Sequence, residues 1–69
     1  MDTLEIWIVA GLLVDKHGED AVSVACQRAE KARGQGDGVG AATWRAVGRA
    51  AESYLRRAKT NASHMTSSP

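Results

Sequence analysis

Few side chains in this 69-residue sequence are of the types that perform chemistry. His17, which is followed by Gly18, could act as a general base or as a metal ligand. No serine, cysteine or second histidine stands beside it in the sequence to complete a catalytic pair. We therefore interpret His17-Gly18 as a helix end, where a histidine meets the negative pole and a glycine allows a left-handed turn.

Cys26 is the only cysteine, and its thiol could serve redox chemistry or act as a nucleophile. It falls among the alanines of a predicted helix, where a buried cysteine more often acts as a small hydrophobe. A single cysteine forms no intramolecular disulfide, and a structural zinc site needs about four ligands. We therefore expect no metal, no cofactor and a structural role for Cys26.

Glycines alternate with other residues around Asp37, at positions 34, 36, 38 and 40. A glycine-rich turn that leads into a helix could cradle a phosphate group. A phosphate loop needs a preceding strand or a following Lys-Ser/Thr, and neither is present. We interpret the segment as a turn between the second and third helices, in which Gly34 or Gly36 ends the second helix and Asp37 caps the start of the third. Since no arrangement of catalytic residues is visible, we expect that the protein is not an enzyme.

The composition limits how such a chain can be stabilised. Hydrophobic residues make up 43% of it, but 12 of them are alanine and phenylalanine is absent. A fold this small usually depends on a disulfide, a metal or a partner subunit. The formal net charge of +1 is too small to indicate a nucleic-acid or membrane partner by itself. Oligomerisation is the remaining route to stability.

Hydrophobic periodicity and the positions of the glycines predict an all-α, three-helix domain over residues 1–59. The helices are expected at about 2–17, 19–33 and 39–59, with the last two antiparallel and the first packed across or along them. Residues 60–69 are polar, aperiodic and terminal, and a disordered tail is predicted there.

The ends of the first helix are signalled by its sequence. Asp2 and Glu5 have the spacing of a capping box, and Gly18 is placed to end the helix. A strand over residues 6–9 is the alternative, but the length and the cap signals favour a helix. The apolar stretch 6–14 is shorter than the roughly 20 residues that cross a membrane, and an acidic start does not fit a signal peptide. We expect a cytoplasmic, soluble protein.

Helical periodicity also gives the other two helices an apolar face. On the second helix this face is made of small residues, so a neighbouring helix can approach closely: Ala21, Val22, Ala25, Cys26, Ala29 and Ala32. On the third helix the face consists of Trp44, Val47, Gly48, Ala51, Tyr54, Leu55 and Ala58.

The opposite face of the third helix carries a basic stripe, which consists of Arg45, Arg49, Arg56 and Lys59. Such a stripe could contact nucleic acid or an acidic protein. Glu52 interrupts it and can pair with Arg49 and Arg56. No asparagine or glutamine lies on the helix over 39–59 to read base edges, so a solvated face is favoured over a nucleic-acid site.

The first helix is apolar nearly all round, through Leu4, Ile6, Trp7, Ile8, Val9, Leu12, Leu13 and Val14. Such a helix must be buried on more than one side, and two small helices with alanine-rich faces cannot cover it. We predict that one side packs inward and that Trp7, Ile8, Leu12 and Val14 contact a partner. The expected function is a non-enzymatic interaction or adaptor module that self-associates as a homodimer. The alternative is a small nucleic-acid-associated regulator that uses the basic stripe.

One order of residues spans most of the chain: Trp7, His17-Gly18, Glu19-Asp20-Ala21, Gln27-Arg28-Ala29, Gly36-Asp37, Gly40 and Trp44. This order resembles a family of short uncharacterised proteins, mostly from alphaproteobacteria, that form a domain of unknown function. The resemblance covers roughly Leu4 to Leu55 and implies three helices and the positions of the turns, but no activity. Gly38 and Gly48 depart from the family pattern, because better helix formers are expected there.

Overall fold

In the computed structural model, the backbone is described for residues 2–67 and the side chains for residues 2–58. The described chain is all-α and contains no strand, which confirms the predicted fold class. Its elements, in chain order, are α1 (Thr3–His17), a single 3-10 turn (Gly18–Asp20), α2 (Ala21–Gly34) and α3 (Gly38–Ser67). Within the described residues, no helix combines the length and the apolar character that crossing a membrane requires.

Helix α3 is longer than the sequence predicts. It runs past Lys59, where the last helix was expected to end, and reaches Ser67. The segment predicted to be a disordered tail is therefore helical as far as Ser67, and residues 68–69 lie outside the described part. The physical reason is the absence of a helix breaker, because no glycine or proline follows Gly48 until Pro69.

The turn between α2 and α3 follows from its glycine and aspartate. Gly36 has a φ of 77°, which favours glycine, and its N–H donates to the carbonyl of Arg33 at 3.0 Å. The N–H of Asp37 donates to the carbonyl of Ala32 at 2.8 Å, which completes a Schellman motif. The Asp37 carboxylate then accepts the N–H of Gly40 at 2.8 Å, so the predicted N-cap of α3 is confirmed.

The ends of α1 agree with the sequence only in part. Gly18 ends α1 with a positive φ of 59°, as expected for glycine, but its ψ of −129° is not the left-handed helical conformation that the sequence predicts. Asp2 is the N-cap residue, but its side chain makes no capping hydrogen bond, so the predicted capping box is wrong. Glu19 and Asp20 belong to the 3-10 turn, and α2 therefore begins at Ala21, two residues later than predicted.

The buried core lies along α3, with α2 on one side and α1 on another. Val47 is fully buried, and among the described side chains it is the largest fully buried one. Gly48 is also buried, and a Cβ built on it would lie 3.5 Å from the Cβ of Ala25, so α2 and α3 approach closely there. The other buried members of this core are small or aliphatic: Ala10, Leu13, Ala21, Ala50 and Ala51.

Candidate interaction surface

Helix α1 has an outer face on which large apolar side chains meet solvent. Leu4 is 68% exposed, Ile8 is 53% exposed and Leu12 is 63% exposed. Residues four apart on an α-helix differ by only about 40° around its axis, so these side chains form one continuous row. We call Leu4, Ile8 and Leu12 the α1 stripe. Scattered single hydrophobic residues are normal on a surface, whereas an aligned row is typical of a contact surface.

The inner face of α1 points the other way and holds the helix on the domain. Ala10 is fully buried and Leu13 is 6% exposed. Ile6, Val9 and Val14 are half-buried and pack against the same core. The α1 stripe therefore lies on the side of the helix that does not pack against the core.

Trp7 and Tyr54 join α1 to α3. Their rings meet edge to face, with centroids 5.3 Å apart and planes at 79°. The Tyr54 hydroxyl also donates a hydrogen bond to the backbone carbonyl of Trp7 at 3.3 Å. Gly11 leaves room for this ring, since a Cβ added there would lie 3.6 Å from the Tyr54 hydroxyl oxygen. Trp7 thus serves the interior of the molecule more than its surface.

The structure separates the four residues that the sequence places at a partner interface. Ile8 and Leu12 lie on the exposed row, whereas Trp7 and Val14 are half-buried against the core. Leu4 lies on the row and is absent from the predicted set. The signal that could have found it is its spacing, because Leu4 stands four residues before Ile8, as Ile8 does before Leu12.

Charged side chains lie at one end of the α1 stripe and along one flank of it. Asp15 is exposed and comes eleven residues after Leu4, which is close to three full helical turns, so it continues the row at its C-terminal end. Glu5 and Lys16 are also exposed and lie along one flank, near opposite ends of the helix. The exposed surface of α1 thus has an apolar centre, a carboxylate at its C-terminal end and one acidic and one basic side chain along one flank.

The basic stripe of α3 is exposed where the structure describes it. Arg45, Arg49 and Arg56 all face solvent, and the side chain of Lys59 lies outside the described residues. Arg56 forms an ion pair with Glu52 at 2.6 Å, which is one of the two pairs that the sequence predicts for Glu52. An exposed pair of this kind contributes little stability, but it neutralises one of the arginines.

The other residues whose side chains could perform chemistry lie apart from one another. Cys26 is exposed, so its predicted burial among the alanines is wrong. The reason is angular, because Ala21, Ala25, Ala29 and Ala32 define the buried direction and Cys26 lies about 100° away from it. His17 is half-buried at the end of α1. In the part of the chain that the structure describes, no three His, Cys, Asp or Glu side chains are grouped to hold a metal ion.

Compared with models of known protein families, with curated proteins and with solved structures, the chain matches none. The resemblance to the alphaproteobacterial family therefore stays a prediction.

Proposed function

We propose that this protein is a small non-enzymatic interaction module that self-associates through the outer face of α1. The observation that supports this most is the α1 stripe, in which Leu4, Ile8 and Leu12 are each more than half exposed. Burying a large aliphatic side chain contributes about 1.5–3 kcal/mol. A second copy of the chain offers the same row, so both copies gain from one contact.

The size of the stripe sets the expected strength of the contact. Stable interfaces bury about 800 Å² on each partner. Three side chains provide less than this, so the self-association is expected to be weak and to require high micromolar protein.

The proposal is tested by sedimentation equilibrium over a wide concentration range. Wild type is expected to approach twice its 7.3 kDa mass as concentration rises. Ile8→Ser is expected to weaken dimerisation at least about 10-fold, because each dimer loses two buried side chains. Val39→Ser is the matched control, since Val39 is 81% exposed but lies on α3. A wild-type chain that stays monomeric at millimolar concentration would overturn the proposal.

A second candidate function is contact with nucleic acid or an acidic protein through Arg45 and Arg49. Both are exposed and stand one helical turn apart, and no ion pair is found for either among the described residues. Phosphate contacts give an affinity that falls steeply with salt. We expect the double variant Arg45→Gln/Arg49→Gln to bind duplex DNA with a flatter dependence on salt than wild type. Binding that is insensitive to salt and to both substitutions would rule this candidate out.

A further inference from the structure

We infer that two copies of the chain pair through antiparallel α1 helices, with Ile8 on the two-fold axis. This inference rests on the proposed function and specifies its geometry. Two observations carry it: the symmetric spacing of the α1 stripe and the position of Asp15 on the same row.

The spacing of the stripe fits a two-fold axis. Leu4 and Leu12 stand four residues before and after Ile8. When two such helices run in opposite directions about Ile8, Leu4 faces the partner's Leu12 and Leu12 faces the partner's Leu4. Every apolar side chain of the row then meets another apolar side chain, which is the self-complementarity that a two-fold interface requires.

Asp15 decides between the two directions. It continues the apolar row at the C-terminal end of α1 and is exposed. In a parallel pair, the Asp15 carboxylate would face the partner's Asp15, and like charges at close range repel. In the antiparallel pair, Asp15 lies beside the N-terminal end of the partner's α1. The positive helix dipole there attracts the carboxylate, the exposed Asp2 and Glu5 of that end oppose the attraction, and the two Asp15 carboxylates no longer face each other.

The flanking charges favour the same direction. Glu5 lies in the first turn of α1 and Lys16 in its last turn. Antiparallel packing about Ile8 brings the same flank of both helices together and places Lys16 level with the N-terminal end of the partner's α1. The acidic side chains nearest to it are then Asp2 and, further along the helix, Glu5. The dipoles of the two helices also oppose each other in this arrangement.

Cysteine cross-linking tests the register. The exposed native thiol is first removed by Cys26→Ser, and Leu4→Cys, Ile8→Cys and Leu12→Cys are made singly in that background. Ile8→Cys is expected to form a disulfide-linked dimer on mild oxidation. Leu4→Cys and Leu12→Cys are expected to cross-link in a mixture, with one protein carrying a mass tag, but not separately. Like positions lie about 12 Å apart along the antiparallel pair, which is too far for a disulfide.

The possible outcomes of the cross-linking test separate the antiparallel arrangement from self-association itself. Cross-linking of Leu4→Cys with itself at the rate of the mixture would overturn the antiparallel arrangement and leave self-association standing. A Cys26→Ser parent that dimerises in sedimentation while no variant or mixture cross-links would also overturn it. A parent that remains monomeric would remove the proposed function together with this inference.

Asp15→Asn gives an independent check on direction. The antiparallel pair predicts little change in dimer affinity, because the helix dipole attracts the carboxylate while Asp2 and Glu5 at the same end of the partner repel it. The parallel pair predicts a clear increase, since a direct repulsion between two Asp15 carboxylates is relieved. An increase in affinity of more than about 5-fold for Asp15→Asn would therefore contradict the inference.

Discussion

The contact between α2 and α3 is made of small side chains, whereas α1 carries most of the bulky apolar side chains and exposes several of them to solvent. Ala25 and Gly48 meet in the first contact, so the two backbones come close. On α1, Leu4 and Leu12 remain mostly exposed. The smallest apolar residues are thus the most buried and several of the largest are the least.

The fold therefore gains stability at the α2–α3 contact, whereas the outer face of α1 remains exposed. Close packing of alanine-rich helices brings many atoms into contact, although each side chain buries little area. Leu4, Ile8 and Leu12 contribute little to the core within one chain, which is formed by the α2–α3 hairpin and the inner face of α1.

The largest expected effect comes from adding bulk to the small-residue contact. Ala25→Leu is expected to lower the free energy of unfolding by about 2–3 kcal/mol, because Ala25 is fully buried beside Gly48 and its neighbours cannot move apart freely. Urea unfolding followed by circular dichroism measures the change. The control is Cys26→Leu, which places the same side chain one residue away in solvent. Equal destabilisation by both variants would show that α2 and α3 do not pack closely.

The next effect concerns the attachment of α1. Trp7→Ala is expected to cost about 2 kcal/mol, less than for a fully buried tryptophan, because Trp7 is half-buried and packs edge to face against Tyr54. Ile8→Ala, one residue further, removes a side chain that is 53% exposed and should change the free energy of unfolding of the monomer by less than about 0.5 kcal/mol. If Ile8→Ala unfolded the monomer as readily as Trp7→Ala, the assignment of inner and outer faces would be wrong.

A stabilising change is expected within the close contact itself. A Cβ on Gly48 would lie 3.5 Å from the Cβ of Ala25, which is ordinary contact, so Gly48→Ala should raise stability by about 0.5–1 kcal/mol through helix propensity. Gly40→Ala is the matched comparison on the same helix. Its Cβ would clash with the Asp37 carboxylate that caps α3, so the gain should be cancelled. A thermal melt that ranks Gly40→Ala above Gly48→Ala would refute this reasoning.

The smallest effect isolates one hydrogen bond. Tyr54→Phe removes the hydroxyl that donates to the Trp7 carbonyl but keeps the edge-to-face ring contact. We expect a loss of about 0.5 kcal/mol, because the contact at 3.3 Å is long and part-buried. A loss near that of Trp7→Ala would show that the hydroxyl, and not the ring, holds α1 in place.

Local signals in the sequence predict the turns well and the faces less well. Gly18, Gly36 and Asp37 act through backbone conformation and short-range hydrogen bonds, so their own residue types determine what they do. The end of α3 is different. A polar segment without a breaker is compatible with both a helix and a disordered tail, and residue types alone do not separate the two.

The orientation of α1 depends on the rest of the fold. A helix that is apolar all round gives no amphipathic signal, so the sequence could indicate two buried sides without saying which residues belong to each. Trp7 faces inward because Tyr54 stands opposite it and Gly11 leaves room. The burial of Cys26 is predicted wrongly for a related reason. The four buried alanines of α2 define the side of the helix that faces the core, and Cys26 lies on another side.

The positions of the two tryptophans have an optical consequence. Trp7 lies at the contact of α1 with α3, and the Trp44 ring lies 4.8 Å below the guanidinium carbon of Arg28, which projects from α2. Replacing either one with phenylalanine leaves a single indole emitter at one helix–helix junction. Fluorescence can then follow the docking of α1 and the closing of the α2–α3 hairpin separately. Coincidence of the two unfolding curves would establish that this small domain melts as one cooperative unit.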